Sequence, residues 1–154
     1  MSIYSVELHS MAKYFQGLFK PINPQKYKGN PTQICFRSSY ELKLLTYLDR
    51  HPEIVWYSSE ELSIPYRSPI DRSLRRYYPD ILCKRRNDII MIEVKPKFQR
   101  NPPVLAEGKR MTASHKRAVI TYAINDAKWK AARAYCEDRG WIFKIMTEKE
   151  LGIT

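Results

Sequence analysis

The apolar positions of the chain fall into short blocks with two different periods. Leu44, Leu45 and Leu48 recur at helical spacing behind Ser38-Ser39-Tyr40-Glu41, where Ser38 and Glu41 match the capping box that opens a helix. His51-Pro52 ends that helix, because a residue before proline is driven out of the helical region. Strand-like blocks follow at 54–57, at 62–67 with Leu62, Ile64 and Tyr66 alternating, at 76–84 and at 89–95. The polar Arg85-Arg86-Asn87-Asp88 between the last two is a hairpin signal. A helix is expected to start near Thr112. A second is expected from about Asn125 through Trp129, Ala132 and Tyr135 to Arg139, with Gly140 as its stop. A strand over 141–146 then leads to Thr147-Glu148-Lys149-Glu150, a second capping box opening a last short turn. A helix, a strand meander, helices and a strand describe a mixed α/β domain whose sheet is covered by helices.

The chain before residue 37 has another character. Residues 10–18 suit a short helix. Residues 20–31 are dense in prolines, lysines and tyrosine, and read as an extended basic arm lying on the domain or on a ligand, or as a tether. The expected organisation is an arm over 1–36 and a single α/β domain over 37–154.

Charge sharpens this picture. The 154 residues carry 27 Lys+Arg against 16 Asp+Glu, a formal net charge of +11, which creates a field suited to polyanions. No continuous basic amphipathic helix of the membrane-surface type occurs, so nucleic acid is favoured over anionic lipid. No run approaches the ~18–20 apolar residues of a membrane span, and no signal-peptide core opens the chain; a soluble protein is expected. With 44% hydrophobic residues, wholesale disorder is excluded. Cys35, Cys83 and Cys136 are odd in number and dispersed, which suits a reducing compartment and buried apolar roles. No C-x-x-C or H-x-x-x-H pair offers a structural zinc site.

The chemistry concentrates in Tyr78-Pro79-Asp80 and Ile92-Glu93-Val94-Lys95. A hairpin turn centred between Arg86 and Asn87 places Asp80 directly across from Glu93. Strand alternation then brings Glu93 and Lys95 to one face. Two carboxylates directly opposite each other destabilise a sheet, and a divalent cation converts that repulsion into a binding site. Oxygen-only ligands suit Mg²⁺ or Mn²⁺. Glu41 shares a helix face with Leu44, Leu45 and Leu48. A carboxylate on a core-facing stripe is costly without a partner, so it either joins the metal site or caps its own helix at the Ser38 amide.

These residues resemble the PD-(D/E)-x-K nuclease superfamily: Pro79-Asp80, then Glu93-Val94-Lys95, with Glu41 on a preceding helix. Tyr27-Lys28-Gly29-Asn30-Pro31, Phe36 to Glu41, the stretch from Pro52 to Tyr66, Glu93-Val94-Lys95-Pro96-Lys97, the segment from Asn125 to Ala132 and Thr147-Glu148 narrow the resemblance to the head completion nucleases of tailed bacteriophages. A more distant likeness is to transposon endonuclease subunits. The resemblance spans about residues 20–151. It implies a restriction-endonuclease-like core, a mixed central β-sheet flanked by α-helices, and a Mg²⁺-dependent DNA endonuclease in which Mn²⁺ substitutes. Asp80, Glu93 and the Val94 carbonyl would bind the metal, Glu41 would complete or extend the site, and Lys95 would orient or help deprotonate the attacking water. It also implies action in head completion after DNA packaging, phage head or portal proteins as partners, and a place in the host cell cytoplasm and the virion. Two alternatives stay open: a structural, portal-associated DNA-binding protein that need not cut, and a transposon end-cutting subunit with a partner recombinase.

Further basic positions are candidates for phosphate contact. They are Lys26 and Lys28 of the arm, Arg37, the group Arg72, Arg75 and Arg76, Lys97 on the face of Lys95, and the cluster Lys109, Arg110, Lys116 and Arg117. That cluster surrounds a helix start, where cations oppose the helix dipole. Glu60 either reaches the site or sits with Glu61 in a solvated turn. His51 reads as a helix cap, His115 as a helix-surface residue, and Trp129 and Trp141 as core.

Overall fold

A computed structural model of the chain describes residues 16–152. Helix α1 (Ser39–Arg50) begins where the Ser38 hydroxyl accepts a 3.1 Å bond from the Glu41 amide, buries Leu44, Leu45 and Leu48, and ends as the His51 amide donates to the Tyr47 carbonyl. Helix α2 (Ala113–Arg139) starts at Thr112, whose hydroxyl accepts from the His115 amide, and stops at Gly140 with φ 68°. The two helices expected on either side of residue 125 are therefore one, of 27 residues. No glycine or proline interrupts 113–139, and Asn125 is buried in the helix interior instead of capping a new one. Among the described residues no helix is long and apolar enough to cross a membrane.

The strands are β1 (Gly17–Leu18), β2 (Cys35–Phe36), β3 (Ile54–Ser59), β4 (Ile64–Arg67), β5 (Leu74–Tyr77), β6 (Ile81–Arg85), β7 (Asp88–Val94) and β8 (Ile142–Met146). The central sheet has the order β3-β6-β7-β8, antiparallel except for the parallel β7/β8 pair. This is a mixed sheet with helices on both faces, a restriction-endonuclease-like core. The β6–β7 register runs from Ile81 opposite Ile92 to Arg85 opposite Asp88, so the turn is centred between Arg86 and Asn87, as the sequence predicts.

The single strand expected over 76–84 is instead two, in different sheets. Pro79 has no N–H to give to a ladder, and the chain breaks at Tyr78-Pro79-Asp80. The meander is broken with it. β4 and β5 form a separate hairpin, and β3 pairs with β6.

The two faces of the sheet have different covers. Leu44, Leu45 and Leu48 of α1 pack against Ile81, Cys83, Ile90, Ile92 and Val94. Met91, on the other face, packs with Ala132 and Cys136 of α2 and with Ile64, Tyr66 and Tyr77 of the hairpin. The expected boundary at residue 36 does not separate two units among the described residues. Phe19, Tyr27, Ile34 and Phe36 belong to the same core as α1. Buried Asp49 ties this segment down, accepting from the Ile22 amide at 2.8 Å, the Asn23 amide at 3.1 Å and the Tyr57 hydroxyl at 3.1 Å. Residues 10–15 of the helix expected over 10–18 lie outside the described residues, and Gly17–Leu18 is strand. Cys83 and Cys136 are buried as expected, whereas Cys35 is exposed.

Candidate active site

The break at Pro79 sets up the site. β6 starts at Ile81 and β7 ends at Val94, so one further step of the register puts Asp80 across from Glu93. The Val94 amide donates to Asp80 Oδ2 at 2.7 Å and holds this carboxylate against the strand end. Alternation turns Asp80, Glu93 and Lys95 to the Met91 face, toward α2 and the β4–β5 hairpin. Glu93 is only 4% exposed. The Tyr77 hydroxyl donates to its Oε2, and the Lys95 ammonium stands 3.3 Å from its Oε1. The Lys95 amide is fixed in turn by a 2.9 Å bond to the Met146 carbonyl.

Burial, then the charges of Glu93 and Glu41, hold the Asp80 carboxyl well above the ordinary carboxylate range, against the opposing Val94 amide and Lys95. Burial and the adjacent Glu93 likewise push up the Tyr77 phenol. The corner thus concentrates more negative charge than its own cations relieve. Asp80 Oδ1 accepts no hydrogen bond among the described residues, which leaves a hard oxygen donor open. Two carboxylates with water and substrate oxygens filling the other positions are the usual protein contribution to a Mg²⁺ site, and the residues present fit that ion.

Glu41 accepts at the start of its helix from the Arg37 amide, not the expected Ser38 amide. Its helix covers the opposite face of the sheet, and its carboxylate accepts from the Arg37 amide at 3.0 Å and the Ser38 hydroxyl at 3.4 Å. Burial raises its pKa, opposed by the Arg37 amide. Its charge reaches Asp80, but among the described residues no group of three or more His, Cys, Asp or Glu is arranged to hold a metal ion. Glu60 does reach the margin of the site. Its amide donates to the Asp80 carbonyl at 3.2 Å, and its carboxylate pairs with Arg37 and adds to the charge felt by Glu41.

The structure also brings in a residue that the sequence reading passed over. Lys128 of α2 is half-buried, with its ammonium 5.8 Å from the ring centroids of both Tyr66 and Tyr77. Burial first, and then Lys95, lower its pKa, while Glu93 and Asp80 oppose. The signal was present: Lys128 borders the stripe of Asn125, Trp129, Ala132 and Cys136, the buried residues of α2. A charge beside a buried stripe needs a reason, by the same rule that singled out Glu41.

The other basic candidates divide by occupation. Lys26 donates to the Asp49 and His51 carbonyls, both at 2.9 Å, and so caps the end of α1. Lys28 lies 3.9 Å over the Trp56 ring. Arg37 pairs with Glu60, Arg75 with Asp71 at 2.9 Å, and Arg76 donates to the Ser63 hydroxyl at 2.9 Å. Lys97, Lys109, Arg110, Lys116 and Arg117 are exposed. None of these five has an ion pair among the described residues.

Residues 51–148 match the model of the TnsA-like endonuclease N-terminal family. The chain belongs to the TnsA-like endonucleases. It is also 38% identical over 141 residues to the head completion nuclease of Enterobacteria phage T4, a match covering 89% of this chain and 93% of that protein. Asp80, Glu93, Lys95 and Lys128 all lie inside the region of this endonuclease that carries the family match, and Glu41 lies before it.

Proposed function

We propose that this endonuclease hydrolyses DNA phosphodiester bonds with Mg²⁺ at the Asp80–Glu93 pair, and that it acts in completing phage heads after packaging. The observation that carries the reading is the opposed pair Asp80 and Glu93 at one strand end, with Glu93 buried, Lys95 on Glu93, and the Asp80 carboxyl pushed up by desolvation and by the charges of Glu93 and Glu41. The phage relative matches over nearly its whole length, whereas the TnsA-like match covers 51–148, which favours head completion over transposon end-cutting.

Asp80, Glu93 and the Val94 carbonyl would hold the ion. When bound, Mg²⁺ supplies a water of lowered pKa and neutralises phosphate charge. The Val94 amide and the Tyr77 hydroxyl fix the two carboxylates in advance, so that little reorganisation accompanies reaction. Lys95 keeps its ammonium at the site through Glu93 Oε1 and orients the attacking water toward the phosphorus. Lys97, Lys109, Arg110, Lys116 and Arg117 offer free cations to the flanking phosphates. Portal or other head proteins are the partners this role requires, in the infected cell and in the virion.

A plasmid-nicking assay tests the reading. The unmutated protein should cut in Mg²⁺ or Mn²⁺ and stop in EDTA. Asp80→Ala and Lys95→Ala should each lose about 10²-fold or more, the scale of losing one electrostatic group at a reacting centre. A protein that cuts no DNA of any form, with either ion, would leave a structural head-completion role in its place.

A further inference from the structure

Lys95 is not the sole ammonium facing the acidic pair. Lys128 approaches from α2, across the two tyrosines of the hairpin, and Tyr77 in turn donates its hydroxyl to Glu93. Its surroundings are unusual for a lysine. Lys130, two residues on, is exposed and takes Asp126 as an i,i+4 partner at 2.8 Å. Lys128 is half-buried and has no carboxylate within ion-pair distance and no hydrogen-bond acceptor among the described residues. Its three N–H donors are therefore uncommitted. Two aromatic faces stabilise the cation but use none of those donors.

Lys128 and Lys95 are also near enough to repel each other, and the carboxylates do not separate them into two salt bridges. Lys95 is answered by Glu93 alone and Lys128 by no carboxylate within ion-pair distance, so both ammoniums keep N–H donors for a further anion. The carboxylate pair invites a cation by the same logic. A phosphodiester, with two non-bridging oxygens, is the anion that can meet both ammoniums, and the substrate of an endonuclease supplies it.

We propose that Lys128 is a second substrate-contacting cation of the site, which with Lys95 grips the non-bridging oxygens of the phosphate under attack. This rests on the placement of the reaction at Asp80 and Glu93. It adds that α2, and not the sheet alone, builds the catalytic surface. A helix that touches the scissile phosphate also fixes the path of the DNA. The duplex must then pass the strand ends at Asp80 and Lys95, beside the part of α2 that carries Lys128. The exposed start of α2, with Lys116 and Arg117, then lies on the same element as the catalytic contact.

The test uses the full chain and the variants Lys128→Met, which keeps the apolar stem against the tyrosines, and Lys128→Arg, which keeps the charge. With plasmid DNA and Mg²⁺, Lys128→Met should lower kcat/KM by about 10–100-fold, and Lys128→Arg should recover part of that loss. Both should half-saturate at the same Mg²⁺ concentration as the unmutated protein and melt within about 2 °C of it. For binding of a short duplex in EDTA, the slope of log K against log salt should become shallower by about 0.9 in Lys128→Met and stay unchanged in Lys128→Arg. Unchanged turnover or an unchanged salt slope in Lys128→Met overturns the proposal. So does a loss of activity that only follows a lowered Tm. If the unmutated protein does not cut, the metal-dependent reading fails, and the salt slope in EDTA still decides whether Lys128 meets a phosphate.

Discussion

Asp80 shows how a side chain can be held in a conflict that the fold does not resolve. It faces Glu93 across a strand pair and stands within reach of Glu41, with the Val94 amide and Lys95 as partial relief. Asp80→Asn keeps an oxygen for the Val94 amide and deletes the repulsion. In EDTA at pH 8 this variant should melt a few degrees higher than the parent, since about 1 kcal/mol shifts Tm by roughly 2–4 °C in a chain of this size. Mg²⁺ should raise the Tm of the parent and leave that of the variant unchanged, while cleavage disappears. A variant that melts lower in EDTA would show that the opposed carboxylates are not in conflict. Glu150 is the contrary case, at the exposed end of the chain. The Thr147 hydroxyl and amide, and Arg100 after them, hold its carboxyl down to about 2. A depressed folded pKa contributes stability that is present above the unfolded value of about 4.3 and is lost as pH falls toward 2. Compared with Glu150→Gln in thermal melts, the parent should hold a small Tm advantage at pH 6 that vanishes by about pH 2.

At the level of elements, the segment before α1 and the long helix α2 carry the architecture that the site needs. Asp49→Ala leaves the Ile22 and Asn23 amides and the Tyr57 hydroxyl without their acceptor. The Tyr57 hydroxyl is buried and the two amides are partly so; at about 1–3 kcal/mol for an unsatisfied buried group, the loss should be about 2–3 kcal/mol in urea melts. Residues 17–28 should become the first to be cut in limited proteolysis. An Asp49→Ala variant as stable as the parent would mean that this segment is a tether after all. The register of the β6–β7 hairpin was legible, because the polar turn between two apolar runs leaves one centre of pairing and fixes which residue faces Asp80. The break before β6 was less so. Pro79 was in plain view, but alternation continues through it, and only the withdrawal of β5 into its own hairpin shows that the ladder stops there. The missed residue is a matter of geometry in three dimensions. Spacing puts Lys128 beside the buried stripe of α2, yet nothing along the chain says that this stripe meets Tyr66 and Tyr77. Glu41 differs, since both its roles fit the same spacing, and the structure shows its capping bond to the Arg37 amide together with its charge on Asp80.

Over the whole molecule, the 27 Lys and Arg residues overstate the cations that DNA can meet. Several cations named from the sequence are already engaged: Lys26 caps α1, Arg37 answers Glu60 and Arg75 answers Asp71. Four of the cations left free lie around the start of α2, where Lys109, Arg110, Lys116 and Arg117 are exposed and unpaired among the described residues. Lys116 and Arg117 lie in the first turns of a helix, and cations there meet the positive end of its dipole. A bound phosphate reverses the sign of that cost. Replacing these four by glutamine should therefore have two effects. The helix start should lose nothing, and Tm should hold or rise slightly. Duplex binding should weaken strongly at low salt, with the slope of log K against log salt shallower by about 3–4 if all four contact phosphates. Arg75→Gln, whose charge is already answered, should change that slope by much less than one. Equal slopes for the parent and the fourfold variant would move the DNA away from α2, and with it the reason for a half-buried lysine in the middle of that helix.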